Sequence, residues 1–349
     1  MSDLLAVALP AVIKIVVVLA VVLTGVAYTT FAERKVSAWM QDRKGPNRVG
    51  PFGLLQPLAD GLKFILKEDI TPREAYRPVY RLAPILTMVP ALLTFAVIPF
   101  GTSIAVHGKS YSLVIAPGMN VGLLYLLALS SLGVYGIILA GWSSGNKYSM
   151  MGGLRSASQV ISYELGAGLA ILTVVIWTGS FNLDTIVNAQ KGHAWFFLPH
   201  FLGFVVFLVC IFAETNRLPF DLPEGESEIV GGYHTEYSGM RFAMFFMGEY
   251  ANMITASAFI VLLFFGGWNL PFVDYAAMGP IWGGVVSAAV FLAKVAFFVF
   301  LFIWVRWTLP RFRYDQLMNL GWKRLVPIAL FNLFLMTSLM VFFGIGMKP

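Results

Sequence analysis

One cysteine and four histidines are all the thiol and imidazole side chains in 349 residues. A lone thiol, Cys210, lies inside an apolar run; it closes no internal disulfide and holds no iron–sulfur cluster. His107, His193, His200 and His234 offer no pair on facing spans for haem ligation, and no metal-ligand cluster is visible. No glycine-rich phosphate loop follows a strand, which excludes a nucleotide fingerprint. Charge is scarce as well, at 12% of residues. A soluble globular domain needs more polar surface than that, and no nucleic-acid partner is expected.

What fills the chain instead is apolar, 58% of residues with a mean hydropathy of +0.77. Apolar runs cover 5–31, 82–106, 120–142, 158–179, 196–214, 241–266, 281–305 and 325–346. Each is near or above the roughly 20 residues that cross about 30 Å of hydrocarbon. The expected fold is an all-α polytopic membrane protein, 1–349 as one membrane domain, with eight transmembrane helices. The first run is too long for a cleaved signal peptide. No fixed-period repeat or two-half symmetry is visible, which counts against inverted-repeat transporters.

Basic residues give an orientation. Nineteen lie in the odd-numbered loops, while only Lys109 and Lys191 lie in the even ones. The positive-inside rule puts the odd loops in the cytoplasm and both termini in the periplasm of a bacterial plasma (inner) membrane. The first loop, 32–81, is long and reads as structured. A turn signal at Lys44-Gly45-Pro46-Asn47 precedes Leu55, Leu58, Leu62 and Ile65 at helical spacing, with Asp60, Lys63 and Lys67 elsewhere on the wheel. That pattern predicts a short amphipathic helix lying in the membrane interface or packed on the protein's own loops.

The fifth loop, 213–240, is acidic. It holds Glu214, Asp221, Glu224, Glu226, Glu228 and Glu236, a third of the 18 carboxylates. Pro219 and Pro223 argue against helix there. Within the apolar runs lie Glu164, Glu249, Lys294 and Lys14, with Glu214 closing the fifth run. A charge at such depth costs roughly 2.5–3.5 kcal/mol on insertion scales, so each must face water, pair or be neutral. Neighbouring carboxylates share protons and titrate as a set. Glu164, Glu214 and Glu249 therefore read as a proton path, with Lys294 as a participant or a structural partner and Lys14 as a snorkelling side chain.

Several stretches together carry a family resemblance. AERKVSAWMQDRKGPNRVGPFGLLQPLADGLKFILKE (Ala32 to Glu68), SQVISYELG (Ser158 to Gly166), AETNRLPFDLPEGESEIVGGYHTEYSG (Ala213 to Gly239), FMGEYANM (Phe246 to Met253) and LPRFRYDQLM (Leu309 to Met318) resemble the H-subunit family of respiratory complex I, the NADH:quinone oxidoreductase. The resemblance runs in order along essentially the whole chain.

It implies a membrane subunit of a proton-pumping NADH:quinone oxidoreductase that forms much of the quinone chamber. The substrate would be ubiquinone or menaquinone, with no cofactor bound covalently to this chain; FMN and iron–sulfur clusters would sit in partner subunits. Partners implied are the quinone-site subunits of the hydrophilic arm, the neighbouring small membrane subunits and the lipid membrane. Chamber candidates by family match are Glu33, Arg34, Trp39, Arg43, Phe220, Asp221, Phe246, Met247, Arg306 and Arg311. Arg34 and Arg43 are expected near Asp221 and Glu224, offsetting the acidic field. The proton path would comprise Glu164, Glu214, Glu224, Glu226, Glu228, Glu236, Glu249 and Lys294. Competing readings are a membrane subunit of an energy-converting hydrogenase-type complex, a stand-alone ion transporter, and a purely structural docking subunit.

Overall fold

The computed structural model describes residues 2–106, 109–192, 194–271, 273, 275–279 and 281–344, without the side chains of 2–9, 106, 109, 226, 227, 276 and 343. Twelve α-helices are found among them. They are α1 (Ser2–Met40), α2 (Gln56–Leu66), α3 (Arg77–Leu93), α4 (Gly122–Ser143), α5 (Lys147–Thr178), α6 (Leu183–Ala189), α7 (Phe201–Glu214), α8 (Glu226–Ile229), α9 (Gly239–Phe264), α10 (Trp282–Thr308), α11 (Tyr314–Leu320) and α12 (Val326–Phe343). A short antiparallel hairpin, β1 (Ile104–Val106) with β2 (Lys109–Tyr111), pairs Ile104 with Tyr111. Among the described residues seven helical stretches are long and apolar enough to cross a membrane, which makes this a multi-pass membrane protein.

Helix boundaries differ from the hydropathy reading for identifiable reasons. Hydropathy ends the first helix at 31, but α1 continues to Met40. Ala32 to Met40 contains no glycine or proline, and a buried stripe of Val22, Val26, Thr29, Glu33 and Ser37 runs on at helical spacing. Glu33, Arg34 and Trp39 therefore sit on a helix rather than in a loop. The second apolar run reaches 106, but α3 and its last 3-10 turn stop at Ala96. Pro99 and Gly101 interrupt the run, and its tail becomes β1. The fourth run begins at 158, yet α5 begins at Lys147, where Asn146 caps the backbone N–H of Tyr148 at 2.8 Å. The buried small residues Ser149, Gly152, Gly153 and Ser156 dilute the hydropathy of this stretch; Ser149 and Gly153 let α5 approach Gly141 of α4, and Gly152 lies against Pro223 and Gly232 of the loop. The expected fifth span holds only α7, whose 14 residues cover about 21 Å.

α9 is the central helix. Every residue from Thr255 to Phe264 is buried, the mark of a helix that is apolar all round and packed on all sides. It contacts α1, α3, α7 and α10, while α4 and α5 pack outside α3 and α7. α11 and α12 form one rod through a π-turn at Gly321–Leu325 and lie against α5. Side chains such as Val12, Phe297, Phe331 and Phe334 cover the outer face and are exposed.

Candidate functional site

The site grows from the turn after α7. Asn216 adopts a left-handed backbone (φ 51°), which asparagine tolerates better than most residues, and the helix ends there. Gln159 of α5 fixes the turn: its Nε2 donates to the carbonyls of Ala213 and Phe220 (both 2.8 Å) and to Asn216 Oδ1 (3.1 Å). The Phe312 N–H donates to the Pro219 carbonyl at 3.1 Å, tying the same turn to the segment after α10. So held, the turn directs Arg217 into the protein, where it is 3% exposed.

Arg217 is the centre of a buried ionic cluster. Its Nη1 donates to both oxygens of Glu33 on α1, at 3.1 and 3.0 Å. Its Nε lies 2.5 Å from Glu249 Oε1 on α9, and the guanidinium sits 4.3 Å over the Tyr250 ring. Glu33 also accepts from the Tyr250 hydroxyl (2.8 Å) and from Arg306 Nη1 of α10 (2.6 Å). Two carboxylates thus face two guanidinium groups, and the cluster is neutral as a whole. Burial works against the Arg217 charge, but Glu249, Glu33 and Tyr250 outweigh it and hold its pKa above the ordinary arginine value. A planar fork that meets two carboxylates on different helices is a task lysine does not perform.

The remaining chamber candidates spread around this cluster. Asp221 is held by Arg311 at 2.8 Å. Phe220 is buried between Tyr163 (5.5 Å) and Phe312 (5.4 Å). Phe246 packs on Phe242, and Met247 lies against the core. Trp39, at 71% exposure, stands on the outside of α1. Arg34 pairs with Asp60 at 2.6 Å, and Arg43 donates to Gln41 at 2.7 Å. Arg34 follows Glu33 on α1 and so projects from a different face of that helix.

The loop carboxylates are separately anchored. Glu224 lies 3.5 Å from the Tyr233 hydroxyl and 3.7 Å from His234 Nε2. Burial lowers the His234 pKa to about 4, so at neutral pH the imidazole is uncharged beside it. Glu228 pairs with Arg155 of α5 at 2.5 Å, and Glu236 accepts from Asn146 Nδ2 at 2.6 Å. The side chain of Glu226 lies outside the described residues. Deeper in the bundle, Glu164 accepts the Ser131 hydroxyl and borders an apolar outer groove between α4 and α5. Glu214 lines a narrow cavity of about 40 Å³ between α3, α4, α7 and α9. Lys294 is elsewhere. Its Nζ donates to the carbonyls of Phe265 (2.8 Å), Gly267 (2.9 Å) and Asn269 (2.7 Å), capping the far end of α9. That end lies about 24 Å along the helix from Glu249. Lys14 donates to the Val114 carbonyl at 3.4 Å.

Sequence reasoning missed two members of the cluster. Arg217 counted only toward membrane orientation, and Tyr250 not at all. The available signal was an arginine set in an apolar, proline-containing turn directly after a membrane helix, where solvent is not its partner.

Comparison with known proteins places the chain. A family described as NADH dehydrogenase matches residues 13–337. The H subunit of NADH-quinone oxidoreductase from Leptospira biflexa is 53% identical over 328 residues, 91% of each chain. Its counterpart in Rhodospirillum rubrum is 52% identical over 341 residues, 96% of each chain. The protein of the same name from Rhodospirillum centenum is 52% identical over 334 residues, 95% of this chain and 94% of its own.

Proposed function

The chain belongs to the NADH dehydrogenase family, among the H subunits of NADH-quinone oxidoreductase, and on that premise we propose that its buried ionic cluster forms the inner wall of the quinone chamber and converts quinone reduction into proton movement. It serves as a membrane subunit of the oxidoreductase complex, and the hydrogenase-type and stand-alone transporter readings give way to that. The substrate is ubiquinone or menaquinone. Electrons come from FMN and iron–sulfur clusters in hydrophilic-arm partners, since one cysteine holds no cluster here.

The observation that carries the reading is the neutral cluster of Glu33, Arg217, Glu249 and Arg306, which joins α1, α9, α10 and the turn after α7. Such a set is electrostatically poised. Reduction of a quinone to hydroquinone takes two electrons and two protons, so each turnover disturbs the charge next to it. A shift of Arg217 takes the guanidinium from Glu249 and leaves Glu33 to Arg306 and Tyr250; weakening a buried pair in this way costs several kcal/mol, which protonation of Glu249 relieves. Asp221 with Arg311, and Phe220, flank the headgroup end. Phe246, Met247 and Trp39 continue the apolar wall, with Arg34 and Arg43 at its outer rim. Glu249, Glu214 and Glu164 take up and pass the proton, while Glu224, Glu226, Glu228 and Glu236 connect the set to the cytoplasmic loop. Lys294 acts at a distance, by fixing the far end of α9.

The architecture follows the same reading. α7 with the turn at 195–200 makes the eighth crossing. α2 lies in the membrane interface, its Leu58, Leu62, Ile65 and Leu66 exposed on one side. Odd loops face the cytoplasm and both termini the periplasm. Residues 32–81 and 213–240 dock the hydrophilic-arm subunits, and the groove beside Glu164 receives a neighbouring membrane subunit.

The test replaces Glu214 or Glu164 by Gln in the assembled enzyme and measures quinone reduction together with proton pumping. Each replacement is expected to lower the pumping rate at least fivefold. Normal activity with a normal proton-to-electron ratio in both removes these residues from the path.

A further inference from the structure

The last carbonyls of an α-helix have no partner within the helix, and at membrane depth water does not supply one. At the far end of α9, every carbonyl from Val261 to Asn269 is nonetheless bonded. Val261 accepts from the N–H groups of Phe265 (3.1 Å) and Gly267 (2.9 Å). Gln190, buried at the end of α6, donates from Nε2 to Leu262 (3.1 Å) and Leu263 (3.3 Å). The Phe197 N–H donates to Phe264 at 3.0 Å, and the Asn269 N–H to Gly266 at 2.8 Å. Trp268 accepts the Tyr275 hydroxyl at 2.7 Å. The three carbonyls that remain, those of Phe265, Gly267 and Asn269, all belong to Lys294 Nζ.

That geometry fixes the state of the amine. A neutral amine has two N–H groups and a lone pair, whereas an ammonium has three donors. Oxygens at 2.8, 2.9 and 2.7 Å use all three, and a lone pair turned toward any of them would be repelled. The fourth side is aromatic. Nζ stands 4.5 Å from the centre of the Trp195 ring, over the face that attracts a cation. Gly266 makes room for that ring: its backbone is left-handed (φ 69°), and a methyl group on it would come within 2.9 Å of Trp195 Nε1. Among the described residues no carboxylate acts on Lys294; carbonyl dipoles and the negative end of α9 take that part. A cleft of about 570 Å³ adjoins the cage. Trp195 and Asn269 line both, and the exposed Lys191 and Leu198 mark its open side.

We propose that the far end of α9 is a binding site for a primary ammonium group, that Lys294 fills it as a fixed cation, and that this filling sets the position of Glu249 against Arg217. The lysine then carries charge and passes no proton, so it stands outside the carboxylate path. α9 itself is the mechanical link. Every residue from Thr255 to Phe264 is buried, so the helix has no slack beside it and moves as a rod. Glu249 meets Arg217 Nε at 2.5 Å, a contact that a small slide of the rod would spoil. The ammonium site goes beyond the quinone reading and stands without it; only the turnover measurement rests on that reading.

The test uses the whole enzyme, in membrane vesicles for turnover and in detergent for Tm. Lys294→Ala removes the equivalent of propylammonium and opens the cage to the cleft. It is expected to lower quinone reduction per assembled enzyme at least threefold and to lower the Tm. Propylammonium is expected to restore at least half of the turnover and to raise the Tm. Tetramethylammonium, which has charge but no N–H, and propanol, which has O–H but no charge, are expected to do neither. Wild-type turnover in Lys294→Ala overturns the positioning role. Equal rescue by tetramethylammonium or propanol overturns the ammonium cage, as does a Tm that propylammonium leaves unmoved. Should Lys294→Ala fail to assemble, Trp195→Leu, which removes only the aromatic face, is expected to lower the Tm with Lys294 in place, and an unchanged Tm overturns the cage. The two readings fail separately. Wild-type turnover in Lys294→Ala with loss in Arg217→Lys removes only the role of Lys294. Amine-dependent Tm in Lys294→Ala with full activity in Arg217→Lys removes only the role of the ionic cluster.

Discussion

Arg217 shows how much one side chain can settle. It bonds to α1, contacts α9 and stacks on Tyr250, all while almost fully buried. Removing Arg217 leaves Glu249 without its guanidinium and Glu33 with Arg306 alone among the arginines; breaking a buried pair typically costs about 3–5 kcal/mol. Arg217→Met is therefore expected to lower the Tm of the detergent-solubilised enzyme sharply and to reduce the amount assembled on native gels. Arg217→Lys keeps the charge but not the planar fork, so it is expected to assemble and to lose quinone reductase activity at least tenfold. Wild-type activity in Arg217→Lys would mean that only charge, and not geometry, matters at this position. Glu33 teaches the complementary lesson. It falls on the buried stripe of α1, so helical periodicity points to its inward placement even without a partner in view.

Among the elements, α2 stands apart. It has no buried residue, and Leu58, Leu62, Ile65 and Leu66 are each 60% exposed or more. Its polar side is tied down through Asp60, which pairs with Arg34 of α1 and Lys63. A helix fixed on one side and apolar on the other suits the lipid–water boundary beside a chamber mouth. Leu58→Glu with Leu62→Glu is expected to leave enzyme content unchanged. The same pair should lower turnover with a long-chain quinone in membranes at least threefold, while turnover with a short, water-soluble quinone stays near normal. An equal loss with both quinones would place α2 in structural support instead. α7 and α5 make the opposite point about legibility. α5 is longer than its apolar run because small or polar residues lower the score where helices pack closely, and α7 is shorter than its run. The turn at 195–200 carries apolar residues without α-helix.

At the scale of the whole molecule, the ionic cluster, the cavity and Glu164 form a belt across the bundle, whereas Lys294 and the β1–β2 hairpin occupy the far end of α9 and α10. That polarity agrees with the distribution of basic residues, and it can be checked with the chain's own scarcity of thiols. In a Cys210→Ala background, a cysteine placed at Glu74 is expected to react with an impermeant maleimide only in inside-out vesicles. One placed at Lys191 is expected to react only in right-side-out ones. The reverse pattern would invert the orientation and move the quinone-side loops to the wrong face of the membrane.

Composition and spacing alone determined that this is a helical, multi-pass membrane chain. Motifs in a fixed order along the chain determined its family. Both depend on local properties: hydropathy over one span, turn chemistry at Gly and Pro, and the succession of side-chain types. Tertiary structure decided which charges meet. Arg217, Glu33, Glu249 and Arg306 come from four separate places in the chain, and no periodicity relates them. It also decided that Lys294 belongs to a helix end, and that Glu214 borders a small cavity between four helices. Pairing and enclosed volume arise only when helices distant in sequence are packed side by side, because in a low-dielectric interior a charge is stabilised by what surrounds it and not by its neighbours along the chain.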